Sequence, residues 1–230
     1  MTTCLPSTDW LFDAQRIKVL VGHYGSGKTE IALNMALALA ARARTLLIDL
    51  DIVNPFFRSA EVKPLLKRHG VEVIHPAYAL SAVDIPILPA EVDRAFEAQD
   101  AYSVFDVGGD EDGAVALGRY AARLLACQAQ VYFVVNPYRP RTERVEQALA
   151  LMAAVERRAR VKITCLVLNA NLAGETQPEN VLAGRAFVRR LSEESGVPVA
   201  FEAGLLTALP ARAPWPQLQI RRYLKPEWMD

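Results

Sequence analysis

The stretch that decides the fold of this chain reads Gly22-His23-Tyr24-Gly25-Ser26-Gly27-Lys28-Thr29. It fits the phosphate-binding pattern G-x-x-x-x-G-K-[ST], which requires a strand before it and a helix after it. Residues 17–21 form the short apolar run of a buried strand, and residues 30–43 are rich in Ala and Leu, without Pro or Gly. The sequence therefore predicts a strand, a phosphate-binding loop (P-loop) and a helix, in that order.

The residue types in this loop suit a bound triphosphate. Glycines let the backbone turn tightly and approach an anion, and the following helix adds the positive end of its dipole. Lys28 is predicted to place its charge on the outer phosphates, and Thr29 to offer its hydroxyl to Mg²⁺. The predicted nucleotide contacts within this region are Gly22, Tyr24, Gly25, Ser26, Gly27, Lys28, Thr29 and Glu30.

Downstream of the loop, strand-like runs alternate with helical ones, which predicts an α/β fold with a mainly parallel central sheet and helices on both faces. The predicted strands cover residues 45–50, 71–74, 102–105, 130–135, 162–168 and 197–201. The predicted helices cover residues 58–69, 90–99, 113–126, 142–158 and 176–194. Thr142 is the predicted N-cap of the helix at residues 142–158, and Thr176 with Glu179 is a predicted capping box for the helix at residues 176–194.

The whole chain, residues 1–230, is predicted to form a single domain. Residues 1–15 form an extension that we expect to pack on this domain through Trp10, Leu11 and Phe12. The tail, residues 205–230, contains four prolines and is predicted to wrap over the surface.

Composition narrows the classes of function. Among the 230 residues, 26 Lys and Arg balance 26 Asp and Glu, so bulk charge attracts neither nucleic acid nor an anionic membrane. The three cysteines, Cys4, Cys127 and Cys165, are far apart, which supports neither a disulfide framework nor a local metal clip. The sequence shows neither a signal peptide nor an apolar run long enough for a membrane span, so a cytoplasmic protein is expected.

Two further strand ends carry carboxylates. Asp49-Leu50-Asp51 ends the second predicted strand, and Asp106-Val107-Gly108-Gly109 ends the strand of residues 102–105. Each aspartate alone would suit a turn, but ligands in such sheets bind beyond the carboxyl ends of strands. We predict that Thr29, Asp49, Asp51 and Asp106 surround Mg²⁺.

The predicted roles of these residues differ. Alternation along the extended chain puts Asp49 and Asp51 on the same side, with one orienting the Mg²⁺ shell and the other near the attacking water. Asp106 would hold Mg²⁺ directly or through water. Gly109 is predicted to offer its amide to the γ-phosphate and to move when that group leaves.

The motifs at residues 22–29, 49–51, 106–109 and 169 together resemble those of the MinD/ParA-like P-loop ATPases, within the wider CobQ/CobB/MinD/ParA nucleotide-binding group. The resemblance covers most of residues 16–201. It implies that Asp51 positions the hydrolytic water, so Lys28 and Asp51 are the predicted catalytic residues. It also implies ATP and Mg²⁺ as cofactors, and nucleotide-dependent homodimers with ATP between the subunits.

One position departs from the family pattern. The family carries a signature lysine early in the loop, where this chain has His23. Histidine is shorter than lysine and mostly neutral at pH 7. Two interpretations stay open: His23 donates one hydrogen bond in place of the lysine, or it is a spacer in the turn.

The residues after the sixth predicted strand bear on the choice of base. Guanine-binding proteins commonly use N-K-x-D, but here Asn169 is followed by Ala170, Asn171 and Leu172. The carboxylate that would accept the guanine N–H groups is therefore missing. Asn169 can pair with the amino group and N7 of adenine, which favours ATP; the alternative is a turn residue.

Three functional hypotheses follow. The first is an ATPase switch that acts on a protein partner in assembly, positioning or metalloenzyme maturation. The second is an ATP-dependent small-molecule enzyme resembling the dethiobiotin- or cobyrinate-synthesis group. The third, a DNA-positioning ATPase like ParA, is disfavoured by the neutral net charge.

Two weaker features complete the sequence. Phe56 and Phe57 follow Asn54-Pro55, where they would either meet a partner or anchor the next helix in the core. Arg139, Arg141 and Arg144 cluster after Asn136-Pro137. They could face phosphate, a partner or water, and solvent is expected for most of them.

Overall fold

A computed structural model of the chain describes residues 7–12, 15–51, 62–75, 90–109 and 111–223. The predicted aromatic loop at residues 54–58 and most of the connection at residues 75–89 lie outside these ranges.

The described strands form one parallel eight-stranded sheet in the order β3-β2-β4-β1-β5-β6-β7-β8. The P-loop strand β1 pairs with β4 on one side and β5 on the other. In chain order the strands are β1 (Ile17–Val21), β2 (Arg44–Leu50), β3 (Val71–Ile74), β4 (Ala101–Val107), β5 (Gln130–Val135), β6 (Cys165–Leu168), β7 (Val199–Gly204) and β8 (Gln217–Gln219). The predicted α/β class is confirmed.

Helices cover both faces of the sheet, as the apolar character of its strands requires. The helices are α1 (Lys28–Ala40), α2 (Val62–Arg68), α3 (Ala90–Glu97), α4 (Glu111–Gly118), α5 (Ala121–Ala126), α6 (Val145–Ala159) and α7 (Pro178–Ser195). One apolar core includes residues of α3 to α7, and the other, on the opposite face, includes residues of α1 and α2. No described helix combines the length and the apolar character that a membrane span requires.

Three differences from the predicted helix boundaries are explained by contacts in the structure. The predicted helix at residues 113–126 is two helices, separated after Gly118, whose Cα lies so close to α6 that a Cβ would be 2.8 Å from the Arg158 carbonyl oxygen. Helix α6 begins at Val145, not at Thr142. The Thr142 hydroxyl instead lies 2.7 Å from the Asn136 carbonyl oxygen, in the preceding loop.

Helix α7 begins two residues later than the predicted capping box. Its N-cap is Gln177, whose N–H donates to the Asn180 side chain at 2.8 Å. The Thr176 hydroxyl accepts the Leu172 N–H at 2.9 Å, so it stabilises the preceding turn. The pair Thr176 and Glu179 was therefore the wrong choice of cap.

The tail does more than wrap the surface, because it adds β8 to the sheet. The chain after β8 then binds α1: the Asn34 side chain donates to the Arg221 carbonyl oxygen and accepts the Arg221 N–H, both at 2.9 Å. The Glu30 carboxylate accepts the Tyr223 N–H at 3.1 Å. The end of the described chain is thereby tied to the first turns of the helix that follows the P-loop.

The N-terminal segment covers the α1 face of the sheet, as expected for residues 10–12. Leu11 is fully buried, and the Phe12 carbonyl oxygen accepts the Tyr102 hydroxyl at 3.1 Å. Beneath this segment lies Lys18, which interrupts the apolar run of β1 yet is fully buried. Its ammonium donates to the Gln15 carbonyl oxygen at 3.1 Å, and burial lowers the pKa of Lys18 to about 8.

Candidate functional site

The P-loop lies at the carboxyl end of β1, where the central position of that strand brings the ends of β4 and β5 alongside it. Gly27 ends the loop with φ +91°, a left-handed conformation that glycine adopts without strain. A Cβ at Gly27 would lie 2.2 Å from Nδ2 of Asn169. Glycine is therefore required at this position both by the backbone and by its neighbour.

Asn169 fixes the loop from the end of β6. Its side chain is buried, and Nδ2 donates to the Ser26 carbonyl oxygen at 2.7 Å. Asn169, which the sequence predicts to contact the base, therefore holds the phosphate loop in place. A pattern within the loop could not reveal this contact, because its two partners are separated by 143 positions.

Lys28 points back over the loop that carries it. Its Nζ donates to the His23 carbonyl oxygen at 3.0 Å, and its side chain is mostly buried. Nδ1 of His23 lies 2.8 Å from the Tyr24 carbonyl oxygen, so Nδ1 carries the proton in that contact. Burial, with the charges of Arg141 and Lys28, lowers the pKa of His23. His23 is therefore a neutral residue that bonds within its own turn.

The carboxyl group of Asp106 is the electrostatic centre of the site. Asp106 is 1% exposed at the end of β4, and the Thr29 hydroxyl donates to it. Burial raises its pKa to about 7, since the effects of Lys28 and Thr29, which lower the pKa, only partly offset it, and the charge of Asp51 raises it further. The predicted residues Lys28, Thr29, Asp51 and Asp106 thus come together around one buried carboxyl group.

Asp51 lies just beyond strand β2, and its position on the same side as Asp49 stays a prediction. Strand β2 ends at Leu50, and Oδ1 of Asp49 accepts the Asp51 N–H at 3.0 Å, which turns the chain. Asp49 is the register partner of Asp106 in the neighbouring strand, so both aspartates face α1. Asp51 lies beyond the strand and is half-buried.

His75 lies next to Asp49, a contact that the sequence did not predict. It follows β3 directly, and Nδ1 of His75 lies 3.4 Å from Oδ2 of Asp49. No local pattern marks this contact, because the adjacency of β3 and β2 is a property of the whole sheet. His75, Asp49 and Asp106 therefore form a row along the carboxyl edge, which ends at the P-loop.

Gly109 touches the P-loop directly. A Cβ at this position would lie 2.5 Å from the Tyr24 nitrogen and 2.9 Å from Nζ of Lys28. The loop after β4 therefore meets both the loop backbone and the lysine predicted to bind phosphate. A side chain larger than hydrogen would push these segments apart.

Glu30 occupies a different position from the other predicted contacts. Its carboxylate accepts the Tyr223 N–H of the tail, as described above, and its carbonyl oxygen accepts the Asn34 side chain at 2.8 Å. A nucleotide contact by Glu30 stays a prediction.

The site suits Mg²⁺ bound in part by the nucleotide. Oδ1 of Asp106 is buried without a hydrogen-bond partner within the described ranges, which suits a group that binds a cation. In those ranges no group of three or more His, Cys, Asp or Glu side chains is arranged to hold a metal ion. Mg²⁺ does not need such a cage, because it keeps several waters and binds one or two carboxylates together with phosphate oxygens.

Comparison with known sequences gives one family. Residues 19–169 match the CobQ/CobB/MinD/ParA nucleotide binding domain. The matched range begins in β1 and ends at Asn169, so it contains every residue that the sequence assigned to the site. A search of the curated proteins finds no matching sequence.

Solved structures with a similar fold include three proteins named FtsY. Chloroplast FtsY from Physcomitrella patens has a TM-score of 0.58 at 17% identity, covering 86% of this chain and 63% of that one. Cell division protein FtsY from Thermotoga maritima gives 0.52 at 16%, covering 81% and 61%. The signal recognition particle receptor FtsY from Elizabethkingia anophelis, solved with GDP, gives 0.53 at 18%, covering 83% and 57%.

The matched region of this chain spans about three fifths of each of these FtsY structures. At such identities the likeness concerns the fold, and it agrees with the P-loop nucleotide-binding architecture seen here.

The close approach of Gly27 to Asn169 generates the first prediction. Gly27→Ala places a methyl group against Nδ2 of Asn169 and strains the left-handed backbone, so nucleotide affinity is expected to fall about tenfold or more. Calorimetric titration measures it. Gly174→Ala is the matched control, since a Cβ there has no described heavy atom within 4 Å. Unchanged affinity in Gly27→Ala would contradict the observed packing.

The raised pKa of Asp106 generates a prediction about stability. Between pH 4 and 7 the folded protein holds a proton on Asp106 that the unfolded chain has lost, so this group destabilises the fold as the pH rises toward 7. Asp106→Asn removes that penalty. The stability of this variant relative to the original protein should rise by about 2–3 kcal/mol between pH 5 and pH 8.

Urea unfolding at the two pH values measures this difference without nucleotide or Mg²⁺. Asp100→Asn, at a carboxylate that is 70% exposed, is the control and should show little change with pH. A pH-independent difference for Asp106→Asn would show that Asp106 does not titrate in this range.

Proposed function

The chain belongs to the CobQ/CobB/MinD/ParA nucleotide-binding family, and on that premise we propose that it is a Mg²⁺-dependent ATPase that acts as a nucleotide-driven switch on a protein partner. The observation that carries the proposal is the buried carboxyl group of Asp106, with Lys28, Thr29 and Asp51 around it at the end of the P-loop.

Each side chain has a role in this proposal. Lys28 leaves the His23 carbonyl oxygen and binds the outer phosphates, where its point charge stabilises the charge of the transferring group. Asp51 orients the water that attacks the γ-phosphate. Thr29 and Asp106 hold Mg²⁺, which when bound neutralises charge on the phosphate oxygens.

The switch is proposed to run through Gly109. The γ-phosphate accepts the Gly109 amide and separates the segment 108–109 from the loop at Tyr24. Gly108 in turn contacts α4, because a Cβ at Gly113 would lie 2.4 Å from the Gly108 carbonyl oxygen. A shift at Gly109 is thus passed directly to the start of α4, which would present the change to the partner.

Three residues support ATP as the nucleotide. Asn169 has one donor bonded to Ser26, and its amide oxygen is the group proposed to accept the adenine amino hydrogen. Ala170 is buried, and Leu172 is 37% exposed where a guanine-binding protein would carry a carboxylate. The FtsY from Elizabethkingia anophelis was solved with GDP, but this chain lacks N-K-x-D, so we propose adenine.

A small-molecule enzyme of the dethiobiotin- or cobyrinate-synthesis kind is the alternative. It would need a substrate pocket beside the γ-phosphate. The cavity of about 900 Å³ lined by Gln15, Val131 and Thr164 lies at the amino-terminal ends of the strands, the edge opposite to the P-loop. This cavity does not favour the alternative.

Nucleotide binding should depend on Lys28. The original protein is expected to bind Mg·ATP about tenfold or more tightly than Mg·GTP, and Lys28→Ala to lose at least about two orders of magnitude in ATP affinity. Calorimetry with both nucleotides measures this. Lys67→Ala, on the exposed side of α2, removes the same charge as a control. Equal affinities for ATP and GTP would contradict the proposal that the base is adenine. Retained ATP binding in Lys28→Ala would contradict the assignment of residues 22–29 as the phosphate-binding loop.

Turnover should depend on Asp51 while binding does not. Asp51→Ala is expected to keep ATP affinity within about threefold and to release phosphate at least about a hundredfold more slowly, because it removes the group that orients water. Phosphate release under single-turnover conditions measures the step, with Asp100→Ala as the exposed control. Normal release by Asp51→Ala would remove its proposed role.

A further inference from the structure

The loop after β5 brings an arginine onto the P-loop. From the position of a Cβ on Gly25, Nε of Arg139 is 3.7 Å away, Cδ 3.8 Å and Cζ 4.0 Å. These are van der Waals distances, so the guanidinium lies against Gly25 of the phosphate loop. Arg139, Arg141 and Arg144 are exposed, as expected. Arg139 in addition contacts Gly25.

The backbone of this loop is held in position. Asn136 is fully buried, and its side chain donates to the Asn171 carbonyl oxygen at 2.9 Å and accepts the Tyr138 N–H at 3.1 Å. The Arg139 N–H donates to the Asn136 carbonyl oxygen at 3.1 Å, and the Thr142 N–H donates to the Arg139 carbonyl oxygen at 3.1 Å. The placement of Arg139 beside the P-loop is therefore built into a hydrogen-bonded turn.

The side chain of Arg139 forms no hydrogen bond or ion pair with any residue in the described ranges, and neither does that of Arg141 on the same loop. Elsewhere on the surface, arginines pair with carboxylates, as Arg44, Arg94, Arg123 and Arg190 do. Arg141 lies close enough to His23 for its charge to act on that ring. Three cationic side chains, those of Lys28, Arg139 and Arg141, thus lie at one loop of a chain of zero net charge, and cations gathered at one site attract an anionic ligand.

We propose that Arg139 is a second phosphate-binding cation, whose guanidinium donates to phosphate oxygens of the nucleotide held in the P-loop of the same chain. Arginine suits this role because its planar fork offers two parallel N–H groups to a phosphate. Arg139 then supplies a charge that the neutral His23 does not, and Arg141 adds a weaker, longer-range attraction. The proposal rests on the proposed nucleotide-binding function.

The test compares Arg139→Gln with the original protein in calorimetric titrations with Mg·ATP and with inorganic tripolyphosphate. Loss of charge-assisted hydrogen bonds should weaken both ligands about 10–100-fold. Arg139→Lys keeps the charge but lacks the planar guanidinium group, so its affinities should lie between those of the original protein and those of Arg139→Gln. Arg157→Gln, an exposed arginine near the other end of α6, removes the same charge and should leave both affinities unchanged.

Each other result overturns the inference in a recognisable way. Weakened ATP binding with unchanged tripolyphosphate binding would mean that Arg139 contacts the base or ribose. Equal losses in Arg139→Gln and Arg157→Gln would reduce the effect to net charge. Recovery of ATP affinity on mixing Arg139→Gln with Lys28→Ala would mean that the arginine acts on the partner copy of a dimer.

Lys28→Ala, titrated in parallel, separates this inference from the proposed function. If Lys28→Ala loses ATP while Arg139→Gln binds it like the original protein, the nucleotide site stands and only the role of Arg139 fails. If the original protein binds neither ATP nor tripolyphosphate, the proposed function itself fails. Thermal unfolding of each variant confirms that Arg139, an exposed side chain, is not needed for folding.

Discussion

The position of the P-loop between the ends of two other strands is the constraint on which the site depends. On one side Asn169, at the end of β6, donates to Ser26 and leaves no room for a Cβ on Gly27. On the other side Gly109, after β4, touches the Tyr24 backbone. Both contacts require glycine, because the backbones or a buried amide approach closer than a Cβ allows. The glycines of this site therefore serve the packing of three strand ends as well as the approach of an anion.

Charge inside this packing is arranged for binding at the expense of stability. Asp106 is buried beside Thr29 and Lys28, yet burial dominates and raises its pKa to about 7. Near neutral pH the ligand-free protein therefore holds a carboxyl group that is costly to ionise. A bound cation would relieve that cost. Stability given up at a functional site in this way is common in proteins.

The features that the sequence predicted are marked by neighbouring residues, whereas those that it missed depend on contacts between distant segments. The P-loop and the carboxylates at the ends of β2 and β4 could be located because each is marked by a few adjacent residues and the carboxyl edge of a parallel sheet collects them. The contact between His75 and Asp49 depends on the order of the strands. The contact between Arg139 and Gly25 depends on the path of the loop after β5. The end of α4 at Gly118 depends on the position of α6. None of these leaves a local pattern.

The two sides of the P-loop differ in how they can respond to a ligand. The side toward β6 is held by a buried hydrogen bond from Asn169 to Ser26, and breaking such a bond leaves a polar group unsatisfied at a cost of about 1–3 kcal/mol. The side toward β4 meets the loop through the backbone of Gly109, whose contact with Tyr24 is steric. A group inserted at the end of Lys28 therefore displaces the segment at Gly109 more readily than the one at Asn169. Gly108 packs against Gly113 at the start of α4, so in the proposed switch this helix is the element that would carry the change to the surface.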